Sequence, residues 1–175
     1  PIAVVGNGQP DRPMGGLIDR HATIIRLNNF AISGHETIVG QRTSIRVTSG
    51  WEDIRHYDQH LELSPFTEGA HESLNLARYR ADNAVPILTA GTDVHDLLPD
   101  LPKPSTGLSL LALFSHLGIP VAAFGFDGFR TGHYWQPDPT FSTVHSANEL
   151  NVLLALPGIT LHGRSHPHGH LHHSG

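Results

Sequence analysis

The stretch from Pro104 to Gly128 constrains the fold more than any other part of this chain. Pro104-Ser105-Thr106-Gly107 leads into Leu110, Leu113, Phe114 and Leu117, the i, i+3, i+4, i+7 spacing of one buried helix face, and Gly118 stops it. Pro120-Val121-Ala122-Ala123-Phe124-Gly125 then reads as a buried strand closed by the turn Gly125-Phe126-Asp127-Gly128. Ile2 to Val5, a short apolar run ending at Gly6, reads as another strand. Thr23 to Leu27 and the alternating Ser44 to Thr48 add two more. Later signals are a helix from Ser146 to Leu156, stopped by Pro157-Gly158, and an edge strand at Ile159 to Leu161. The middle of the chain is polar, with a helix expected around Glu72 to Arg80 and a short strand at Val85 to Leu88. Strands that alternate with helices imply an α/β domain, a mainly parallel sheet with helices on both faces.

The chain has 175 residues, a length for one domain that buries roughly two thirds of the surface its unfolded form would expose. We expect that domain over residues 1–161 and a His-rich flexible tail over residues 162–175. Eleven basic against 16 acidic side chains give a net charge of −5, which supplies no positive field to gather polymeric nucleic acid. Cysteine is absent, which excludes disulfides and thiolate metal sites and points to a reducing, cytoplasmic setting. No run approaches the ~20 apolar residues of a membrane span, and the first residues lack the pattern of a signal peptide.

Four segments carry candidate chemistry. Gly6-Asn7-Gly8 places backbone N–H groups and an amide at a strand's carboxyl end, where α/β folds bind ligands such as phosphate or ribose. A dinucleotide G-x-G-x-x-G fingerprint would need glycine at position 11, which is Asp11. Asn28 and Asn29 close the second strand with paired donors and acceptors, or form a simple turn. Ser105 or Thr106 caps the long helix, whose positive end also suits an anion, and Gly107 would let a ligand approach the backbone. His133 and His145, twelve residues apart, are the candidate acid and base, because imidazole exchanges protons near neutral pH. Glu149 falls four residues after His145 and could orient its ring or cap the helix start, and Tyr134 offers a phosphate-binding hydroxyl.

Together these segments resemble the four sialyl motifs of the sialyltransferases, in their order. Val4-Val5-Gly6-Asn7-Gly8, Gly16-Leu17-Ile18-Asp19, Ile24 to Asn28 and Gly34 to Thr43 are similar to the large motif. Lys103 to Leu108 through Ala123 to Phe126 resembles the small motif, and Gly132-His133-Tyr134-Trp135 the third. His145 with Glu149 resembles the very small motif, with three intervening residues where animal enzymes have four; His145-Ser146 before a Leu-rich helix also looks like the related bacterial enzymes. The resemblance implies a single Rossmann-like domain, a GT-A-like variant, and an inverting, metal-independent transferase with no cofactor. Its donor would be a CMP-nonulosonate such as CMP-sialic acid, and its acceptor a glycan hydroxyl. It implies that His145 is the base and His133 stabilises the departing phosphate. Asn7, Gly8, Asn28, Ser105, Thr106, Gly107, Gly125, Phe126 and Tyr134 would form the donor site, with Glu149 in support. The cysteine pair of the animal enzymes is missing, which fits a bacterial, cytoplasmic relative.

Two other readings stay open. One is a non-catalytic CMP- or nucleotide-binding module that has lost acceptor chemistry. The other is a metal-dependent protein built on His56, His60, His71, His95 and the tail, although those spacings form no recognised site. Six of the 15 histidines lie from His162 onward among Gly, Pro and Ser, a composition with no core-forming pattern. A domain this short can also use a second copy of itself to shield its donor pocket.

Overall fold

Residues 1–48, 61–64, 87–89, 94–101, 103–128, 132–136 and 148–163 are described in the computed structural model of the chain. In chain order they form β1 (Ile2–Val5), α1 (Gly15–Asp19), β2 (Thr23–Leu27), α2 (Glu36–Val39), β3 (Ile45–Val47), β4 (Leu61–Ser64), β5 (Ile87–Thr89), α3 (Val94–Leu97), α4 (Thr106–His116), β6 (Val121–Phe124), α5 (Glu149–Ala155) and β7 (Ile159–His162). The strands make one seven-stranded sheet in the order β5-β4-β3-β2-β1-β6-β7, and every pairing is parallel. A central strand must bury both faces, so β1 and β2 are apolar except at Thr23, which opens β2, and Arg26.

Alternation along the strands divides the interior in two. Val4, Ile25, Leu27, Val47 and Ala123 share one core with Leu108 and Leu111 of α4 and Leu153 of α5. Ala3, Val5, Ile24 and Phe124 point the other way and join Met14 and Ile18 around α1. Helices therefore cover both faces, and the expected doubly covered parallel sheet is the observed one.

Arg26 is buried beneath the α1–α2 side, where apolar neighbours alone could not accommodate it. Its Nε donates to Thr43 Oγ1 at 2.9 Å, and its Nη2 donates to the carbonyls of Val39 and Arg42 at 2.9 and 2.8 Å. Burial lowers its pKa, and the carbonyl cage supplies the acceptors that keep a buried cation tolerable. Asp19 anchors the same corner by accepting from the backbone N–H groups of Gln41 and Arg42. The side chains of the second strand and of the turn after α2 thus fix each other, which explains why Arg26, Asp19 and Thr43 occur together.

The strands at residues 2–5 and 23–27 lie where the sequence puts them, and β7 extends one residue further, to His162. The long helix departs from the expected stripe. Thr106 to Ala112 are all buried, whereas Leu117 is 58% exposed. Its first two turns are enclosed by the sheet, the Phe126 ring and α5, so burial surrounds the helix there instead of running along one side. The last turn emerges into solvent. The expected helix at residues 72–80 lies outside the described residues, as do Ser146 and Ala147, and α5 is seen from Glu149. No helix among the described residues is long and apolar enough to cross a membrane.

Candidate functional site

β1 pairs with β2 on one side and with β6 on the other, so the chain's connections diverge at the β1–β6 boundary. In open α/β sheets that switch point leaves a crevice beyond the carboxyl ends of the strands, where ligands bind. Four predicted segments meet at this end: the loop after β1, the loop after β2, the start of α4 and the turn after β6.

The loops after β1 and β6 touch backbone to backbone. Gly6 N donates to Phe124 O at 2.7 Å and Gly8 N to Gly125 O at 2.9 Å. A β-carbon on Gly8 would lie 2.7 Å from Gly125 O, and one on Gly125, whose φ is 72°, would lie 2.5 Å from Gly6 O. These glycines are therefore needed for loop-to-loop contact. The N–H groups that the sequence reading offered to phosphate are engaged within the protein.

Asn7 binds the neighbouring loop as well. Its amide Nδ2 donates to Leu27 O at 3.0 Å and to Asn29 O at 2.8 Å, which uses both hydrogens and leaves Oδ1 as the atom it can present to a ligand. Asn28 adopts φ 48°, the sole positive φ outside glycine among the described residues, a conformation asparagine tolerates better than most residues. Its carbonyl accepts from Arg46 Nε at 2.8 Å.

Ser105 is the N-cap of α4, with its Oγ accepting from Leu108 N at 3.3 Å. The same hydroxyl donates to Glu149 Oε1 at 2.5 Å, and Ser105 N donates to Glu149 Oε2 at 2.9 Å. Glu149 is buried at the start of α5, yet the helix it caps is α4, 44 residues back. A charge-assisted pair of this kind holds the two helix starts together. The amides of Thr106 and Gly107, both buried residues, lie in the first turn of α4, where no intrahelical carbonyl reaches them. On its other side Gly107 is covered: an added β-carbon would meet Phe126 Cε1 at 2.7 Å and Leu27 Cδ1 at 2.8 Å. Packing of the Phe126 ring is thus the reason for glycine there.

Tyr134 joins the last piece to the others. Its backbone N donates to Asn7 O at 2.9 Å. Its buried hydroxyl accepts from Ala31 N at 3.1 Å and donates to Ala31 O, and its ring meets His35 edge to face with centroids 5.3 Å apart. The hydroxyl expected to bind phosphate is therefore a rivet between three loops. Sequence reasoning missed this because a tyrosine's backbone partner, 103 residues distant, leaves no local signal.

His133, just before this rivet, lies beside the Asn7 loop and is stacked on Trp135 with centroids 4.8 Å apart. Burial holds its pKa below the usual histidine range, although much of the residue is open to solvent. Trp135 Nε1 is buried beside it with no hydrogen-bond partner among the described residues, which is unusual for an indole N–H. His145 lies outside the described residues, as do His56, His60 and His71. Among the described residues no group of three or more His, Cys, Asp or Glu is arranged to hold a metal ion.

Residues 2–72 match glycosyltransferase family 29 (sialyltransferase). A rat CMP-N-acetylneuraminate-beta-galactosamide-alpha-2,3-sialyltransferase 4 is 38% identical over 66 residues, which span 37% of this chain and 19% of that protein. A mouse type 2 lactosamine alpha-2,3-sialyltransferase is 43% identical over 60 residues, 31% of this chain and 18% of the other. The matched region is thus about a fifth of each curated relative's length. A mammalian sialyltransferase crystallised with Gal-beta-1-3GalNAc-ortho-nitrophenol shares the fold, with a TM-score of 0.66 and 21% identity over 94% of this chain and 69% of that one. All of these relatives are mammalian, so they lend no support to the bacterial affinity expected from the missing cysteines.

Proposed function

We propose that this chain, whose residues 2–72 match glycosyltransferase family 29 (sialyltransferase), transfers a nonulosonic acid from a CMP-sugar donor to a glycan hydroxyl. The observation that carries this reading is the convergence of the family's segments on one switch-point crevice. Tyr134 N on Asn7 O, Asn7 Nδ2 on Leu27 O and Gly107 against Phe126 bring five separate stretches together there.

In this reading the amides of Thr106 and Gly107, at the positive end of α4, serve the anionic part of the donor. Asn7 Oδ1 accepts from a nucleotide N–H or O–H. The acceptor oxygen attacks the anomeric carbon as the bond from that carbon to the CMP phosphate oxygen breaks, with inversion of configuration. His145 takes the acceptor's proton and CMP leaves with the bonding pair.

His133 donates a hydrogen bond to the phosphate. Its lowered pKa leaves the free imidazole neutral near pH 7, and the donor's phosphodiester monoanion becomes a dianion as CMP departs, which favours the charged form again, so its electrostatic help grows as the leaving group gains charge. The N–H of Trp135, without a partner among the described residues, supports a polar guest beside it. CMP is already a competent leaving group, so positioning and charge stabilisation account for the catalysis and no metal cofactor is used.

The names of the relatives make galactose-terminated glycans the acceptors to try first. The cysteine-free sequence supports a reducing, cytoplasmic place of work. Transfer from CMP-sialic acid should persist in EDTA and fall by about 10²–10⁴ in kcat in His145→Ala, the usual worth of a positioned base. Undiminished transfer by that variant, or a strict divalent-metal requirement, would overturn the mechanism.

A further inference from the structure

Arg46 lies outside the segments that the sequence pattern singled out, yet it is fully buried, one residue before the carboxyl end of β3. It occupies the sheet face opposite Val47, and its register neighbours are Arg26 in β2 and Glu62 in β4. A guanidinium is rarely buried this completely, because an apolar side chain fills the same space without giving up hydration.

The direction of its Nε identifies what the residue does. Nε donates to Asn28 O at 2.8 Å, while Asn28 N donates to Val47 O at 2.8 Å. Asn7 Nδ2 takes the carbonyls on either side, Leu27 O at 3.0 Å and Asn29 O at 2.8 Å. Three successive carbonyls are thus each held by a side chain from a neighbouring segment, and Asn28 is held through both of its backbone groups.

That hold matters because Asn28 stands at φ 48°. Backbone sterics disfavour this left-handed region about 5- to 30-fold against extended or helical backbone, and it persists where the surroundings over-determine it. Asn28 follows β2 directly, in the loop that borders the crevice, so the twist of its backbone decides where its amide goes. We propose that Arg46 is a positioning residue of the donor site: its Nε–H keeps Asn28 in the left-handed conformation from which the amide meets the nucleotide. The proposal rests on the donor-site reading given above and adds to it a residue that touches no substrate.

Arg46 acts through a placed N–H and not through its charge, and its effect is one of population. An Asn28 released from the bond spends most of its time in extended backbone, and the apparent donor affinity falls by the fraction of chains that stay competent. Saturating donor recovers all of them. KM for the CMP-sugar should therefore rise while kcat is kept.

Two substitutions separate the bond from the charge. Arg46→Gln puts an amide N–H the same number of bonds from Cα as the arginine Nε, and Arg46→Met puts a methyl group there; both remove the guanidinium. The full chain is titrated calorimetrically with CMP alone, after urea unfolding has confirmed that each variant is folded. We expect affinity about 5- to 30-fold weaker in Arg46→Met and close to the original in Arg46→Gln. The intraresidue HN–Hα NOE of Asn28, strong at positive φ, reads the same effect without ligand: it should stay strong in Arg46→Gln and weaken in Arg46→Met. If Arg46→Met does not fold, Arg46→Lys replaces it, with a methylene at the Nε position and the charge retained, and the same loss is expected. Equal CMP affinity in the glutamine variant and its partner, or an Asn28 that keeps its positive φ in both, would overturn the proposal. An unsubstituted chain that binds no CMP would instead overturn the donor-site reading itself, and the role of Asn28 with it.

Discussion

Removing one oxygen, in Tyr134→Phe, tests whether the loops of the crevice are held by a single rivet. The ring and its edge contact with His35 remain, while the bonds of the hydroxyl to Ala31 N and Ala31 O are lost. Each such bond contributes about 0.5–1.5 kcal/mol net. Ala31 is half-buried, so water can reach part of what the hydroxyl vacates, and we expect a total loss of about 1–2 kcal/mol. For a domain of this size that is a drop of about 2–8 °C in Tm. Urea unfolding should show a lower midpoint with an unchanged slope. The histidine beside the rivet supplies a second readout: loosening the loop admits water to His133, so its NMR-titrated pKa should rise toward the ordinary histidine value. Unchanged stability together with an unchanged His133 titration would refute the assignment of Tyr134 as the fastener.

Three further outcomes are expected. Ser105→Ala removes the cap of α4 and one arm of the Glu149 clamp, and should cost about 1–2 kcal/mol; a double-mutant cycle with Glu149→Gln should give a coupling of about 1–3 kcal/mol, and additivity would contradict the clamp. Gly107→Ala drives a methyl into the Phe126 ring and Leu27, an overpacking cost of about 1–3 kcal/mol in urea unfolding; a neutral result would mean the helix start is looser than described. Acid should destabilise the fold through His133 and His162. Their folded pKa values lie below the unfolded one, so above about pH 6.5 neither state is protonated there and the groups make no difference. As pH falls through that value the unfolded chain takes up protons that the folded one refuses, and stability declines. The decline should flatten in His133→Gln, measured as urea midpoints from pH 8 to pH 5.

The elements that were legible in the sequence are those whose signals are local. The apolar run before Gly6, the strand at residues 23–27 and the helix after Ser105 carry their own start and stop marks, and the structure keeps them. The parallel order of the sheet followed from alternation of strands and helices. What the sequence hid are the partners that each polar group finds across the fold. Gly6 and Gly8 read as a ligand nest, yet their N–H groups serve the Phe124–Gly125 backbone. Tyr134 read as a phosphate contact and its hydroxyl bonds Ala31, and Glu149, expected to orient His145 or to cap a helix start, reaches the cap of α4. Leu117 fitted the helical period and is exposed, because periodicity reports a face and not the distance along the helix at which solvent begins.

The most direct test of the account is where CMP binds. With the backbone amides assigned, titration of CMP should give one saturable site per chain, with shift changes at Gly6 to Gly8, Asn28 and Asn29, Thr106 and Gly107, and His133 to Trp135. NAD and UDP should bind far more weakly. No saturable CMP binding, or changes confined to the far face of the sheet around His21 and His162, would contradict it.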